Sequence, residues 1–145
     1  EPPAPVPIGK GVIVREGSDL TIVALSALVH DALAAADRLA AEHGIEAEVI
    51  DPRTLVPLDL GLIVASVERT GRPVVAHEAV EHGGFGAEIG AQVQSAAFDF
   101  LDAPVTRVGA PFAPIPFSAP LEDAYLPGAD EIVAAALLLY SSENA

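Results

Sequence analysis

The densest set of chemistry-bearing residues is the run His77-Glu78-Ala79-Val80-Glu81-His82-Gly83-Gly84-Phe85-Gly86-Ala87-Glu88-Ile89-Gly90. Imidazole and carboxylate side chains both bind divalent cations. Paired carboxylates such as Glu78 and Glu88 can share general acid and base work. Glycines entering a helix can bring backbone amides onto an anion. Nothing in the sequence fixes the separation of Glu78 and Glu88, and the metal and nucleotide readings fail on spacing. His77, Glu78, Glu81 and His82 do not reproduce HExxH, and a Gly-rich turn would hold such ligands loosely. Gly84-x-Gly86-x-x-x-Gly90 is one residue longer than the dinucleotide fingerprint and follows the fourth predicted strand, not the first. No acidic residue stands at the end of a following strand to take a ribose. Lys10 is the only lysine and lies far from these glycines, so there is no P-loop. What remains is a tight turn with close packing of helix on sheet, which glycine permits.

Other candidates are weaker. Ser26 and Ser66 lack a GxSxG context. His30 and His43 fall on a helix and near its end, as surface or capping residues. The absence of cysteine excludes disulfides, zinc–thiolate sites, thiol nucleophiles and CxxC redox chemistry. The sequence therefore shows no complete catalytic site of its own.

The elements around the His77 segment alternate between strand and helix patterns. Residues 12–16 and 20–26 read as strands, the second nearly all apolar and so buried on both faces. Residues 28–42 have apolar side chains at helical spacing, with Gly44 as the stop. A third strand spans 47–50 and runs into Asp51-Pro52-Arg53-Thr54-Leu55-Val56-Pro57, whose prolines forbid a helix. Asp59 is placed to start a helix that runs to Thr70 and stops at Gly71. Residues 73–77 form the fourth strand, 85–101 a helix and 105–108 the fifth strand. Five prolines between positions 111 and 127 predict an irregular loop, and 128–140 a closing helix with Asp130 and Glu131 against its N-terminal dipole. This alternation predicts an α/β fold: a three-layer α/β/α domain around an open, mostly parallel five-stranded sheet. The domain spans residues 8–140, between a Pro-rich linker at 1–7 and a tail at 141–145.

Composition narrows the partners. Seven basic residues against twenty-one acidic ones give a net charge of −14. Such a charge opposes phosphate backbones and anionic lipid, so neither nucleic acid nor membrane is an expected partner. It suits solubility, or a basic protein partner. The chain has no methionine and begins Glu1-Pro2-Pro3-Ala4-Pro5, which predicts a processed or excised piece of a longer protein.

Several segments in a consistent order resemble the C-terminal domain of the transketolase family. Within it, the likeness is to the β subunit of the E1 component of 2-oxo acid dehydrogenases. The segments are Ile8-Gly9-Lys10, Arg15-Glu16-Gly17-Ser18-Asp19-Leu20-Thr21-Ile22-Val23 and Ile50-Asp51-Pro52-Arg53-Thr54-Leu55-Val56-Pro57-Leu58-Asp59. They continue through His77-Glu78-Ala79, Gly83-Gly84-Phe85-Gly86-Ala87-Glu88-Ile89 and Leu101-Asp102-Ala103-Pro104-Val105-Thr106-Arg107-Val108 to Leu121-Glu122-Asp123-Ala124-Tyr125-Leu126-Pro127. Phe98-Asp99-Phe100-Leu101-Asp102-Ala103-Pro104 is most similar to the branched-chain (2-oxoisovalerate) type.

The resemblance implies an enzyme of two α and two β subunits in a bacterial cytoplasm. That enzyme decarboxylates a 2-oxo acid on thiamine diphosphate with Mg²⁺ and passes the acyl group to lipoyl-E2. The cofactor is held by the α subunit and the N-terminal domain of β, so no cofactor or metal residue carries over to this chain. What carries over is assembly: contacts to the E1 α subunit, to a second β subunit and to the basic subunit-binding domain of E2. The implied subunit contacts are His77, Glu78, Gly83, Gly84, Phe85, Gly86 and Glu88, with Phe85 as an apolar anchor; packing within the domain is the competing reading. The implied E2 contacts are Asp99 and Asp102. One departure stands out: the family has Asp-Thr before proline where this chain has Phe112-Ala113-Pro114, an apolar loop in place of a polar one. Alternative readings are a pyruvate or acetoin dehydrogenase β subunit, a deoxyxylulose-phosphate synthase relative, or a freestanding flavodoxin-like module with a ligand at the turn after His77.

Overall fold

The computed structural model describes residues 5–141. Five strands, β1 (Val12–Arg15), β2 (Leu20–Ala24), β3 (Ala47–Asp51), β4 (Pro73–Val80) and β5 (Thr106–Ala110), form one sheet in the order β1-β3-β2-β4-β5. β3, β2, β4 and β5 are mutually parallel, while β1 pairs antiparallel with β3 at the edge. The helices are α1 (Leu28–Arg38), α2 (Leu60–Thr70), α3 (Phe85–Ala96), α4 (Ala119–Tyr125) and α5 (Ala129–Ser141). The α/β class and the five-stranded, mostly parallel sheet are as the hydrophobic pattern predicts. No helix among the described residues is long and apolar enough to cross a membrane.

The apolar run of β2 divides its side chains between two cores. Leu20, Ile22 and Ala24 pack under α1 and α5, with Leu28, Ala36, Ile132 and Leu139. Val23 faces the other way, toward Ile63 and Val67 of α2 and Ile89 and Val93 of α3. Period-two alternation inside a continuous apolar strand is what a sheet covered on both sides requires. Two polar clusters enter this interior with partners. Glu48 is fully buried on β3, and Arg69 from α2 donates to both its carboxylate oxygens at 2.7 and 2.9 Å. Beside it on β2, the Thr21 hydroxyl bonds those of Ser66 (2.6 Å) and Thr70 (2.7 Å).

The helix stops at Gly44 and Gly71 are as expected, both residues adopting the left-handed conformation at φ 68° and 67°. Elsewhere the boundaries differ. α1 gives way at Leu39 to a wider π-type turn that runs to His43. Asp59 makes no side-chain cap; its carboxylate instead accepts the Gly11 amide at 3.2 Å and lies 3.7 Å from Lys10. The helix read over 85–101 ends at Ala96, and Phe98–Phe100 form a separate 3₁₀ turn. The segment read as an irregular loop from 111 to 127 contains α4. Pro120 sits in its first turn, where proline's missing N–H goes unused.

Candidate functional site

The His77 segment occupies the junction of β4 and α3. β4 runs three residues beyond its predicted end, to Val80, and the Glu81 amide bonds to Ala110 O at 2.9 Å. The chain reverses through Gly83 (φ 78°) and enters α3 from Gly84, which is extended. His77 is only 2 % exposed and lies against this first helical turn. A Cβ on Gly84 would come within 2.5 Å of His77 Cε1, and one on Gly86 within 2.2 Å of Cδ2 and 2.3 Å of Nε2. These two glycines leave the space the imidazole fills. Close packing, not a phosphate cradle, accounts for them. Burial first, and the nearby Arg107 guanidinium second, push the His77 pKa below the ordinary histidine value, with Glu81 opposing. That shift favours the neutral ring.

The structure separates the remaining members of the segment. Glu78 is half-buried, and Phe85 is half-buried against the Val23–Ile63–Val93 core. Gly83 and Glu88 are exposed, the Glu88 carboxylate accepting a hydrogen bond from Gln92 at 2.7 Å. His82 turns outward, its ring meeting Phe112 edge-on at 5.0 Å. His77, Glu78, Glu81 and His82 do not converge, and no group of three or more potential ligands among the described residues could hold a metal ion.

A cleft of about 510 Å³ opens beside the turn, lined by Glu81, His82, Arg107, Phe112, Tyr125 and Glu131 among others. Arg107 spans it, 3.3 Å from the Glu81 carboxylate and donating to Glu81 O at 2.8 Å. The Tyr125 hydroxyl reaches Pro111 O at 3.0 Å and Ala113 O at 2.9 Å, which pins the base of the proline-rich loop. Beyond that pin the loop carries Phe112 (78 % exposed), Ile115 (67 %) and a fully exposed Phe117. The apolar departure noted in the sequence is thus a surface feature. A second cleft, about 670 Å³, is lined by Val6, Leu25, Ser26, Asp51, Pro52, Arg53 and Leu55. Ser26 and Arg53, at its rim, both have φ of 58°.

Neither cleft suits a diphosphate with its Mg²⁺. Lys10 is paired to Asp59, Arg107 to Glu81 and Arg53 to Asp51, so neither cleft offers an uncommitted cation to a diphosphate. The residues present do not fit thiamine diphosphate.

Asp99 and Asp102 lie on one edge. Asp99 is exposed between the exposed rings of Phe98 and Phe100. Asp102 is already engaged: its carboxylate is 3.2 Å from Arg72, whose guanidinium stacks 4.8 Å from the Tyr140 ring centroid. Its amide also donates to Gly71 O at 2.9 Å. Reasoning from sequence missed the His82–Phe112 contact and the role of Tyr125. The only signal for either was aromatic and histidine residues at the mouths of parallel strands.

Known proteins share this sequence and fold. The β subunit of acetoin:2,6-dichlorophenolindophenol oxidoreductase from Bacillus subtilis is 48 % identical over 134 residues, covering 92 % of this chain and 39 % of that protein. The β subunit of 2-oxoisovalerate dehydrogenase from Pseudomonas aeruginosa is 48 % identical over 90 % of this chain and 35 % of its own length. The pyruvate dehydrogenase E1 β subunit of Bacillus subtilis is 44 % identical over 88 % of this chain and 39 % of its own. The chain thus spans about two-fifths of the length of these relatives. A solved split-gene transketolase, described as an inactive β4 tetramer, superposes with a TM-score of 0.78 at 35 % identity, over 97 % of this chain and 44 % of that one. The profile of the transketolase C-terminal domain matches residues 9–132, and the chain belongs to that family.

Proposed function

We propose that this domain is the C-terminal assembly module of the β subunit of a thiamine-diphosphate-dependent 2-oxo acid dehydrogenase E1, and that it is inactive alone. One observation carries the reading. Relatives named as β subunits match nearly the whole chain at 44–48 % identity, yet the arginines in its own clefts are already paired with carboxylates. In this reading the chemistry is supplied by an N-terminal domain and an α subunit, in a two-α, two-β enzyme of a bacterial cytoplasm. The present domain provides contacts. The β4–α3 turn, with Gly83, Gly84, Gly86, the half-buried Glu78 and Phe85, and the exposed Glu88, meets a neighbouring subunit, and buried His77 sets its shape. The acidic, aromatic edge formed by Phe98, Asp99, Phe100 and Asp102 receives the basic subunit-binding domain of E2. Arg72 holds Asp102 in position there but leaves its carboxylate more than half exposed.

The branched-chain substrate class is supported by the Phe98–Pro104 segment alone. Acetoin and pyruvate remain the competing classes, because relatives named for each match about equally well.

Two measurements test the proposal. The chain alone, given thiamine diphosphate and Mg²⁺, should not decarboxylate 2-oxoisovalerate or pyruvate or oxidise acetoin; turnover would refute the assembly reading. Calorimetry with a basic E2 subunit-binding domain should show binding that weakens with salt, as charge pairing at an exposed surface does. Asp99→Asn should weaken it at least several-fold.

A further inference from the structure

The unused feature of this molecule is the His77 ring itself. Both of its nitrogens are buried without a hydrogen-bond partner among the described residues. A neutral imidazole tolerates this poorly and an imidazolium far worse, since it has two N–H donors, a charge and no acceptor. The ionisable groups on the elements around it do not help. β5 contributes Arg107, a like charge. The turn contributes Glu81, which is spent on Arg107, and His82, whose ring turns outward onto Phe112. α3 contributes only Glu88, which is exposed and bonded to Gln92. β2 has no ionisable residue. The N-terminal end of α3 adds a positive partial charge on the same side.

The slot fits the ring closely on the side of α3. Gly84 and Gly86 close on the ring so tightly that even a methyl group on either would overlap it. A protonated ring must therefore leave, and leaving requires the turn and the first turn of α3 to move. We propose that the β4–α3 junction is an acid-opened latch: His77, seated between Gly84 and Gly86, holds the turn in its contact-forming shape, and its protonation releases that turn. The latch rests on the contact-surface reading only for its consequence, which is weaker subunit association at low pH.

The sign follows from linkage. An unfolded or opened chain binds a proton at the ordinary histidine value, while the closed form resists it. The His77 contribution to the stability of the closed form is therefore fully present above about pH 6.5 and is lost progressively as pH falls below it.

The test is amide hydrogen exchange on the whole chain from about pH 8 to about pH 5, a range in which histidine alone changes charge. Protection factors at residues 83–89, corrected for intrinsic rates, should fall at least tenfold relative to α1. His77→Leu should remove that pH dependence. Arg107→Gln should shrink that pH dependence, because losing the like charge and freeing Glu81 ease protonation of the ring in the closed form, so a failure of the first variant to fold leaves the second informative. Protection at 83–89 that is flat with pH in the unaltered chain, or a pH dependence that Arg107→Gln leaves undiminished, overturns the latch. Acid opening of the turn with unchanged partner affinity upholds the latch and removes the contact reading instead.

Discussion

Gly86→Ala puts a methyl group where the His77 ring already is, and the consequence can be worked from distances. The new Cβ would stand 2.2 Å from Cδ2 and 2.3 Å from Nε2, against an ordinary contact of about 3.5 Å or more. The ring must retreat by more than 1 Å in a site with no free volume, which belongs at the upper end of overpacking costs, about 3 kcal/mol. Replacing glycine in a helix returns at most about 1 kcal/mol. The net expectation is a loss of about 2 kcal/mol. With His77→Ala already in place the clash is gone, and the same methyl should stabilise by up to about 1 kcal/mol. The two substitutions should then couple by about 3 kcal/mol, well beyond the additivity error of independent sites. Urea unfolding of the four chains, followed by circular dichroism with unchanged m-values, measures the cycle. If Gly86→Ala is neutral, or additive with His77→Ala within about 0.5 kcal/mol, the packing explanation of these glycines is wrong.

Two further outcomes follow from other contacts. Arg69→Met strands the buried Glu48 carboxylate and should cost about 3 kcal/mol, whereas the pair Arg69→Met with Glu48→Met should recover most of it, both read by the same unfolding assay. Tyr125→Phe removes the hydroxyl that pins Pro111 and Ala113; it should cost about 1 kcal/mol and speed limited proteolysis within residues 111–118, leaving other sites unchanged.

The legible parts of this protein are those that depend on period and local chemistry. The apolar run 20–26, the glycine stops at 44 and 71 and the strand–helix alternation specify a covered parallel sheet, because backbone hydrogen bonding leaves few other ways to bury such segments. Boundaries set by tertiary contact were not legible. β4 continues past His77 because β5 supplies a partner for Glu81, and α4 forms inside a proline-rich stretch because Tyr125 has carbonyls to reach. Asp59 has the residue type of a helix cap, yet Gly11, distant in sequence, takes its carboxylate.

The candidate site divides in the same way. From the residues alone, the segment from His77 to Gly90 was already marked as a turn that closes helix on sheet, and the absence of cysteine and of nucleotide or metal spacing had removed most catalytic alternatives. Only the folded chain decided what each side chain does there. It buried His77 between two glycines, turned His82 outward onto Phe112 and committed Asp102 to Arg72. Spacing along a chain specifies which local backbone is affordable. Which polar group is left without a partner depends on residues from other elements, and that is settled only when the sheet and helices close around it.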